Sequence, residues 1–343
     1  MTAGTTGVGP TGVGPTGSRD LRLGARRGLD ACSTLRGTFG VLALDHRQNL
    51  RRELRPDDPT AVTFDEMVAF KRAVVRALAP VATGTLLDPE IGAAQCIADG
   101  SMPGAAGLIV AIEATGYVGP STARVSRVLD GWSVDQAKRI GASAAKLLVY
   151  YHPDAVNAAA QEAFVADVVR DCRAADLALF VEPLSFSLIE GERLTGDERR
   201  RVVVETARRM TALGADILKA EFPFDPSVTD RSRWAEACAE LDEASAVPWV
   251  LLSGGVDDTT FRAQVETACI AGASGVLVGR SVWAEAATMA PAARDAFLET
   301  TARERLADLV ALVDRSGRSW RERPNPITND ALPPEGWYRE AGR

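Results

Sequence analysis

Two lysines lie in short apolar runs of the kind that form buried strands. Lys146 begins the run Lys146–Tyr150, and Lys219 lies within Asp216–Glu221. Of the 39 basic residues in the chain only four are lysines, so the other 35, all arginines, provide most of the surface cations. Because only lysine can present a neutral primary amine, a lysine in such a run can attack a carbonyl carbon and form an imine. We predict that Lys219 is this amine and that Lys146 is a second buried cation.

Carboxylates stand at the ends of similar runs. Asp45 ends the first run and Glu182 ends the fifth. A free lysine amine has a pKa of about 10.4, and burial and a nearby cation both lower such a pKa. Glu182 can then exchange protons with the carbinolamine formed on Lys219, and Asp45 can orient or deprotonate a substrate hydroxyl. One buried lysine beside one carboxylate is equally well explained by a structural ion pair, whereas two lysines with two carboxylates favour a catalytic site.

Other carboxylates near these runs are open to more than one interpretation. Glu221 shares a strand face with Lys219, because side chains two positions apart point the same way. It therefore either contacts a substrate or pairs with Lys219 or Lys146. Asp88 and Glu90 flank a proline in a turn, where capping of the turn and contact with a substrate are equally supported.

Two glycine-containing turns follow the last two runs. Ser253-Gly254-Gly255 follows the seventh run, and Gly279-Arg280 follows the eighth. Glycine lets a backbone approach a ligand closely, backbone N–H groups bind anions, and an arginine adds paired hydrogen bonds. The two turns together predict a phosphate site made by Ser253, Gly254, Gly279 and Arg280.

Histidine is scarce in this chain. His46 and His152 are the only two, and no Cys-x-x-Cys motif occurs. A zinc site built from three histidines is therefore excluded, and we expect neither a metal nor a cofactor. Because His46 and Arg47 directly follow Asp45, they are candidate substrate contacts.

Eight apolar runs alternate with helix-length amphipathic segments, as parallel βαβ units require. The runs are Phe39–Asp45, Thr85–Asp88, Leu108–Glu113, Lys146–Tyr150, Leu179–Glu182, Asp216–Glu221, Trp249–Ser253 and Gly275–Val278. Helices are expected over Phe64–Leu78, Ala155–Ala174, Asp197–Leu213, Thr259–Ala271 and Ala292–Val313. Strict alternation, without a Gly-x-Gly-x-x-Gly turn after the first run, favours an α/β fold of the (β/α)8 TIM barrel type over an open sheet. Active sites of such barrels lie at the carboxyl ends of the strands, where the candidate residues would meet.

The sequence predicts one domain with a tail at each end. Residues 29–323 would form the barrel. Residues 1–28 repeat Thr-Gly-Val-Gly-Pro and contain too little apolar surface to offset the entropy of ordering, so we expect a disordered tail. Residues 324–343 are rich in proline, which predicts an extended tail.

Composition excludes several partners. A formal net charge of -7 and a pI near 5.2 argue against nucleic acid, which needs a basic surface. No apolar run approaches the roughly 20 residues that a membrane helix requires. Five scattered cysteines fit reduced thiols in a cytoplasmic protein better than disulfides. We expect a small-molecule partner, while helical faces rich in Ala, Leu and Val leave a homo-oligomer open.

Nine motifs resemble those of the bacterial class I tagatose-1,6-bisphosphate aldolases. They are Leu42–Arg47, Leu86–Glu90, Ala114–Tyr117, Lys146–Tyr151, Phe180–Pro183, Ile217–Pro223, Leu252–Val256, Gly275–Trp283 and Ser319–Arg321. The resemblance implies a Schiff-base aldolase that cleaves a ketose 1-phosphate or 1,6-bisphosphate to dihydroxyacetone phosphate and an aldehyde such as glyceraldehyde 3-phosphate. It implies Lys219 as the Schiff-base lysine and Glu182 as the acid/base, with Lys146 and Asp45 in support. It also places Ser253, Gly254, Gly279 and Arg280 around the C1 phosphate.

Two positions depart from the family pattern. The family usually has Gln in place of His46, and Val-Glu-Val in place of Ala220–Phe222. Both positions can touch the far end of the substrate, so the related aldolases of 6-deoxy-6-sulfofructose 1-phosphate are the main alternative. A phosphosugar isomerase or epimerase on the same barrel would need the carboxylates but no imine. A sugar-phosphate sensor without enzymatic activity would have no use for two buried lysines.

Overall fold

The computed structural model describes residues 22–323, 327, 332–333 and 335–339. Eight parallel strands close into a barrel in chain order, with β1 hydrogen-bonded to both β2 and β8. The strands are β1 Phe39–Leu44, β2 Gly84–Leu87, β3 Gly107–Ala111, β4 Ala144–Tyr150, β5 Ala178–Leu184, β6 Ile217–Ala220, β7 Trp249–Leu252 and β8 Gly275–Val278. The predicted (β/α)8 barrel is confirmed.

Helices surround the barrel and follow the strands. They are α1 Leu23–Ala31, α2 Gln48–Leu54, α3 Phe64–Leu78, α4 Ala93–Ala98, α5 Val134–Arg139, α6 Ala158–Ala174, α7 Gly196–Ala212, α8 Arg231–Ala244, α9 Asp258–Ala271, α10 Arg280–Trp283, α11 Pro291–Phe297 and α12 Arg303–Ser316. A capping box at Thr63 and Glu66 fixes the start of α3. A π-helical turn joins α11 to α12, so the helix expected over Ala292–Val313 is present with one irregular turn. Within the described ranges, no helix has both the length and the apolar character needed to cross a membrane.

Side-chain direction alternates along each strand and divides the apolar residues into two layers. The inner layer fills the barrel and includes Phe39, Val41, Ala43, Ile109, Ala144, Phe180, Ile217, Val250 and Leu277. The larger outer layer packs the strands against the helices. Toward the carboxyl ends of the strands, the next inward positions are polar. Because side chains alternate along each strand, the predicted site residues of the strands point inward at the carboxyl-terminal end of the barrel.

Helix α1 closes the amino-terminal end of the barrel. The backbone N–H groups of Gly24 and Ala25 donate to the carboxylate of Asp176 at 2.6 and 3.2 Å. Leu29 is completely buried in the inner layer. The predicted tail of residues 1–28 is therefore wrong for residues 22–28, because buried contacts hold this helix in place. Residues 1–21 lie outside the described residues.

The carboxyl-terminal segment also packs at the amino-terminal end of the barrel. Trp320 is completely buried in the inner layer, and Ile327 contacts the same cluster. A short 3-10 helix covers Trp337–Arg339. The extended tail predicted for residues 324–343 thus differs from the structure at these positions, and most of its remaining residues lie outside the described ones.

The start of β4 and the end of β3 differ from the predicted positions, because the residue types there do not mark a strand boundary. Strand β4 begins at Ala144, so Lys146 is its third residue and not its first. Alanine has a low strand propensity, which hides this start in the sequence. Strand β3 ends at Ala111, two residues before Glu113, because the chain leaves the barrel there as an irregular hairpin with bridges Glu113–Val128 and Val118–Val125.

Candidate active site

The carboxyl ends of the strands surround a cavity of about 650 Å³. All the predicted site residues line it, namely Asp45, His46, Arg47, Lys146, Glu182, Lys219, Glu221, Ser253, Gly254, Gly279 and Arg280. They come from the ends of six strands and the loops that follow. Closure of the barrel therefore brings together residues that are far apart in the sequence.

Glu182 of β5 lies between the two lysines of the cavity. Its Oε1 is 2.8 Å from Nζ of Lys219, and its Oε2 is 2.8 Å from Nζ of Lys146. Burial raises the pKa of Glu182, but the charges of Lys146 and Lys219 outweigh burial and hold this pKa below its ordinary value. Glu182 is therefore a carboxylate that can accept a proton from Lys219.

Lys146 is completely buried among three carboxylates. Its Nζ lies 2.8 Å from Asp45, 2.6 Å from Glu113 and 2.8 Å from Glu182. Burial lowers the pKa of this amine, yet the three negative charges outweigh burial and hold the pKa well above its ordinary value. Lys146 is thus an ammonium whose charge is offset by its own partners. The expectation of a second buried cation agrees with this position, and its action on Lys219 stays a prediction.

Asp45 faces the cavity from the end of β1. Burial raises its pKa, but the charges of Lys146 and Lys219 hold the pKa well below its ordinary value. Its Oδ1 is 3.9 Å from Nδ1 of His46, whose ring packs edge-on against Trp283 at 5.2 Å. Burial outweighs the attraction of Asp45 and lowers the pKa of His46 to about 4. At neutral pH, His46 is therefore an uncharged wall of the cavity beside an ionised Asp45.

Glu113 has a role that its sequence position alone does not reveal. Its Oε1 accepts a hydrogen bond from Lys146 at 2.6 Å, and its Oε2 accepts the backbone N–H of Leu148 at 3.0 Å. Strand parity is the signal that could have found it, because Glu113 lies two and four positions after the inward residues Ala111 and Ile109. The irregular hairpin after β3 obscures that signal.

The two glycine-containing turns adjoin one another. The N–H of Gly279 lies 3.5 Å from Oγ of Ser253. Gly254 and Gly255 have φ values of +59° and +80°, in the left-handed region that glycine adopts readily. The guanidinium of Arg280 packs on Gly255, where a Cβ would lie 3.0 Å from Nη2. Backbone N–H groups and a guanidinium thus border the same part of the cavity, which is an arrangement suited to phosphate.

Further cations come from the segment after β1. Arg47 lies 2.6 Å from Oε2 of Glu90 and donates to the backbone carbonyl of Glu113 at 2.7 Å. Arg52 of α2 also lines the cavity and donates to Asn49 at 3.2 Å. Arg52 was not among the predicted residues. Its place on the first helix after the Asp45 strand end is the signal that could have identified it.

Glu221 lines the rim of the cavity and pairs with neither lysine. Its Oε2 accepts the backbone N–H of Ser185 at 2.7 Å, and its Oε1 lies 3.0 Å from Nη2 of Arg199. The alternative in which it pairs with Lys219 or Lys146 is therefore wrong. The β6 strand ends at Ala220, one residue before Glu221, so the regular alternation of strand side chains stops there.

Asp88 is part of the turn after β2. It is completely buried, forms an ion pair with the equally buried Lys71, and accepts the N–H groups of Glu90 and Ile91 at 3.0 and 2.8 Å. For Asp88, capping of the turn is therefore the correct alternative. Glu90 takes a different role, because its side chain pairs with Arg47.

Two tyrosines form an aromatic part of the cavity wall. Tyr150 shares the inward face of β4 with Lys146, and Tyr117 comes from the hairpin after β3. Their rings meet edge-on at 5.0 Å. The guanidinium of Arg124 lies over both rings, at 4.7 Å from the Tyr117 centroid and 5.4 Å from the Tyr150 centroid. Cation–π contacts thus attach the hairpin to the end of β4.

The chain matches known proteins over most of its length. Residues 40–285 match the family described as DeoC/LacD family aldolase. A tagatose 1,6-diphosphate aldolase of Streptococcus agalactiae serotype V is 30% identical over 327 residues, which cover 87% of this chain and 98% of the relative. Tagatose 1,6-diphosphate aldolase 1 of Enterococcus faecalis is 30% identical over 316 residues, which cover 86% and 96%.

Solved structures share the barrel at lower identity. An archaeal fructose 1,6-bisphosphate aldolase has a TM-score of 0.56 at 21% identity and covers 84% of this chain and 98% of its own. The fructose-bisphosphate aldolase of Plasmodium falciparum has a TM-score of 0.65 at 12% identity and covers 87% and 94%. At these identities the structures establish the fold alone. With the family match over residues 40–285, the curated relatives show that the chain belongs to the DeoC/LacD family of aldolases, which are lyases.

Proposed function

We propose that the protein is a class I aldolase in which Lys219 forms a Schiff base with C2 of a phosphorylated ketose. The observation that carries the proposal is the 2.8 Å contact between Nζ of Lys219 and Oε1 of Glu182 at the cavity wall. A nucleophilic lysine needs a proton acceptor beside its amine and space in front of it. Lys219 has both, and it is only 4% exposed.

The imine forms through three proton transfers. The neutral amine of Lys219 adds to the C2 carbonyl carbon, and the oxygen takes up one proton from solvent to give a carbinolamine whose nitrogen still carries its extra proton. Glu182 removes the proton from the nitrogen and returns one to the departing hydroxyl, which leaves as water. The product is an iminium joined to Lys219, with Glu182 again a carboxylate.

Carbon–carbon cleavage uses the iminium as the electron sink. Asp45 accepts the proton of the C4 hydroxyl, the C3–C4 bond breaks, and its electron pair moves through C2 onto the nitrogen. The aldehyde leaves, and an enamine remains on Lys219. Protonation of the enamine at C3 and hydrolysis of the iminium release dihydroxyacetone phosphate and the free amine. The lowered pKa of Asp45 means that its carboxylate is ionised before the hydroxyl arrives.

The substrate proposal comes from the relatives and from the charges of the cavity. The relatives are named tagatose 1,6-diphosphate aldolases, and we propose the same substrate here, with glyceraldehyde 3-phosphate as the aldehyde. Ser253, Gly254, Gly279 and Arg280 would bind the C1 phosphate. His46, Arg47 and Glu221 would lie toward the rest of the sugar. Arg47 and Arg52 favour an anionic group on C6, which a phosphate or a sulfonate satisfies.

Side-by-side turnover of three ketoses tests the proposal. The substrates are tagatose 1,6-bisphosphate, fructose 1,6-bisphosphate and 6-deoxy-6-sulfofructose 1-phosphate, with release of dihydroxyacetone phosphate as the readout. We expect the highest kcat/KM for tagatose 1,6-bisphosphate and no turnover by Lys219→Arg, which keeps the charge but cannot form an imine. A preference for the sulfonate would change the substrate and leave the class I mechanism in place. An active Lys219→Arg variant would contradict the mechanism itself. The cytoplasmic location and the homo-oligomer stay predictions.

A further inference from the structure

Both carboxylate oxygens of Glu113 are engaged, and both accept from β4. Oε1 accepts from Lys146 at 2.6 Å, the shortest of the three contacts of that ammonium, and Oε2 accepts the N–H of Leu148 at 3.0 Å. Asp45 differs, because its Oδ1 points toward His46 at 3.9 Å, beyond hydrogen-bond distance. Glu113 is therefore held at two points and is poorly placed to carry protons.

The Leu148 contact replaces a missing strand partner. Strands β3 and β4 pair in parallel as far as Ala111 and Lys146, and the N–H of Ile112 still donates to the carbonyl of Lys146 at 2.9 Å. The carbonyl of Ile112 then accepts from Leu129 of the hairpin at 3.0 Å and not from β4. The side chain of Glu113 takes its place as the acceptor for Leu148. The side chain of Glu113 thus ends the hydrogen bonding between β3 and β4 and also contacts Lys146.

We propose that Glu113 is a positioning residue of the aldol reaction, which holds the ammonium of Lys146 between Asp45 and Glu182. The proposal rests on the proposed function for its catalytic consequence. Lys146 then sets the separation of the two carboxylates that move protons, and Glu113 sets the place of Lys146. The backbone carbonyl of Glu113 also accepts from Arg47 at 2.7 Å, which joins this cluster to the segment after β1.

The charges around Lys146 explain why a carboxylate is needed at this position. Three carboxylates contact Lys146 from the ends of β1, β3 and β5. Each has a further charged or titratable neighbour: Lys219 contacts Glu182, Arg47 lies 3.9 Å from Glu113, and His46 lies beside Asp45. Tyr150 lies on the same strand as Lys146 and also lines the cavity. The two lysines and three carboxylates have a net charge of -1. Glutamine at position 113 removes the negative excess. It also has one oxygen for two donors, so its NH2 group would face either Lys146 or the N–H of Leu148.

The charge state of Lys146 can be measured directly because the chain has only four lysines, Lys71, Lys138, Lys146 and Lys219. Lysine labelled with ¹³C at Cε gives four signals, and Lys146→Arg and Lys138→Arg assign two of them. We would titrate the wild type, Glu113→Gln, Glu113→Asp and Glu90→Gln from neutral pH through the ordinary lysine pKa of about 10.4. Glu90→Gln is the matched control, because Glu90 pairs with Arg47 and not with Lys146.

The expected titrations separate charge from shape. In the wild type and in Glu90→Gln, Lys146 stays an ammonium through the whole range. In Glu113→Gln it loses its proton at a lower pH than in the wild type. Glu113→Asp keeps the charge, so the ammonium persists although the shorter side chain cannot reach both donors. If Lys146 in Glu113→Gln titrates as in the wild type, the proposal is wrong.

Turnover gives the second measurement. We expect kcat of Glu113→Gln to fall by about 10- to 100-fold, part of the roughly 10²- to 10⁴-fold that positioned proton transfer contributes. The basic limb of its kcat profile should move to lower pH, while KM for the ketose changes less. If Glu113 has a purely structural role, Glu113→Gln will lower kcat equally at every pH. That result would contradict the positioning role, and cleavage of the ketose by the wild type would still support the proposed function. A wild type that shows the Lys146 titration but cleaves no ketose would instead contradict the proposed function.

Discussion

Replacing Lys146 with methionine would remove one charge from the centre of the cavity and keep an unbranched side chain that is one atom shorter. The Nζ of Lys146 is unexposed and lies within 2.8 Å of three carboxylates. Removing one partner of a buried ion pair costs about 3–5 kcal/mol, because the remaining charge is left uncompensated. Three carboxylates would lose this partner together, while Glu182 would keep Lys219 at 2.8 Å and Glu113 would keep Arg47 at 3.9 Å. We therefore expect a loss near the upper end of that range at neutral pH.

The size of this loss should depend on pH. In the wild type, the pKa values of Asp45 and Glu182 lie below their ordinary values, so their ionisation stabilises the fold above the ordinary carboxylate pKa, and this contribution is lost as the pH falls. The raised pKa of Lys146 stabilises the fold below the ordinary lysine pKa, and this contribution is lost only as the pH rises through the raised value. Without Lys146 the carboxylates repel one another, and protonation relieves that repulsion. The difference in unfolding free energy between wild type and variant should therefore shrink from about pH 8 to about pH 5.

Urea unfolding at several pH values measures these free energies. Lys138→Met is the matched control, because Nζ of Lys138 donates to the backbone carbonyl of Asp176 at 3.0 Å, away from the cavity. Its cost should be about 1 kcal/mol and nearly constant over the same pH range. A cost for Lys146→Met below about 1 kcal/mol, or one that does not change with pH, would refute the charge arrangement described for the cavity.

Two further predictions concern the phosphate site and the absence of a metal requirement. Arg280→Ala should raise KM for phosphorylated ketoses by about 10- to 150-fold with a smaller effect on kcat, because a hydrogen bond to a charged group contributes about 1.5–3 kcal/mol. Binding of dihydroxyacetone phosphate as tight as in the wild type would contradict this phosphate site. Excess EDTA should leave turnover unchanged, because the chain has only two histidines and Lys146 already contacts three carboxylates of the cavity. Activity lost with EDTA and restored by a divalent ion would contradict the mechanism.

The fold and the strand residues of the cavity follow from strand periodicity. The alternation of apolar runs with helical segments predicts a closed barrel, and a period of two sends Lys146, Glu182 and Lys219 inward at the strand ends. The choice of partners is not available from this pattern, since it depends on the register between neighbouring strands. Leu148 lies opposite Glu182, for example, which places the carboxylate between the lysines of β4 and β6. The pairing of Glu221 with Arg199 depends equally on where β6 ends.

Residues outside the regular elements were harder to predict. Glu113 ends the third apolar run, but it lies in the hairpin after β3, where strand pairing no longer fixes its partners, and it makes the shortest contact to Lys146. Helix α1 follows a segment rich in glycine and threonine, and its start is fixed by the carboxylate of Asp176, about 150 residues later in the chain. Local composition carries no information about such distant partners, and helices of this length are stabilised mainly by tertiary contacts.

Borohydride reduction in the presence of dihydroxyacetone phosphate tests the proposed Schiff base most directly. Reduction converts an imine to a stable secondary amine, and with four lysines in the chain peptide mapping can assign the adduct without ambiguity. We expect inactivation together with one reduced adduct per chain, on Lys219, and no adduct in a folded Lys219→Arg variant. An adduct on Lys146 would mean that the imine forms on the other lysine of the cavity. An enzyme that cleaves the ketose but acquires no adduct would contradict the class I mechanism.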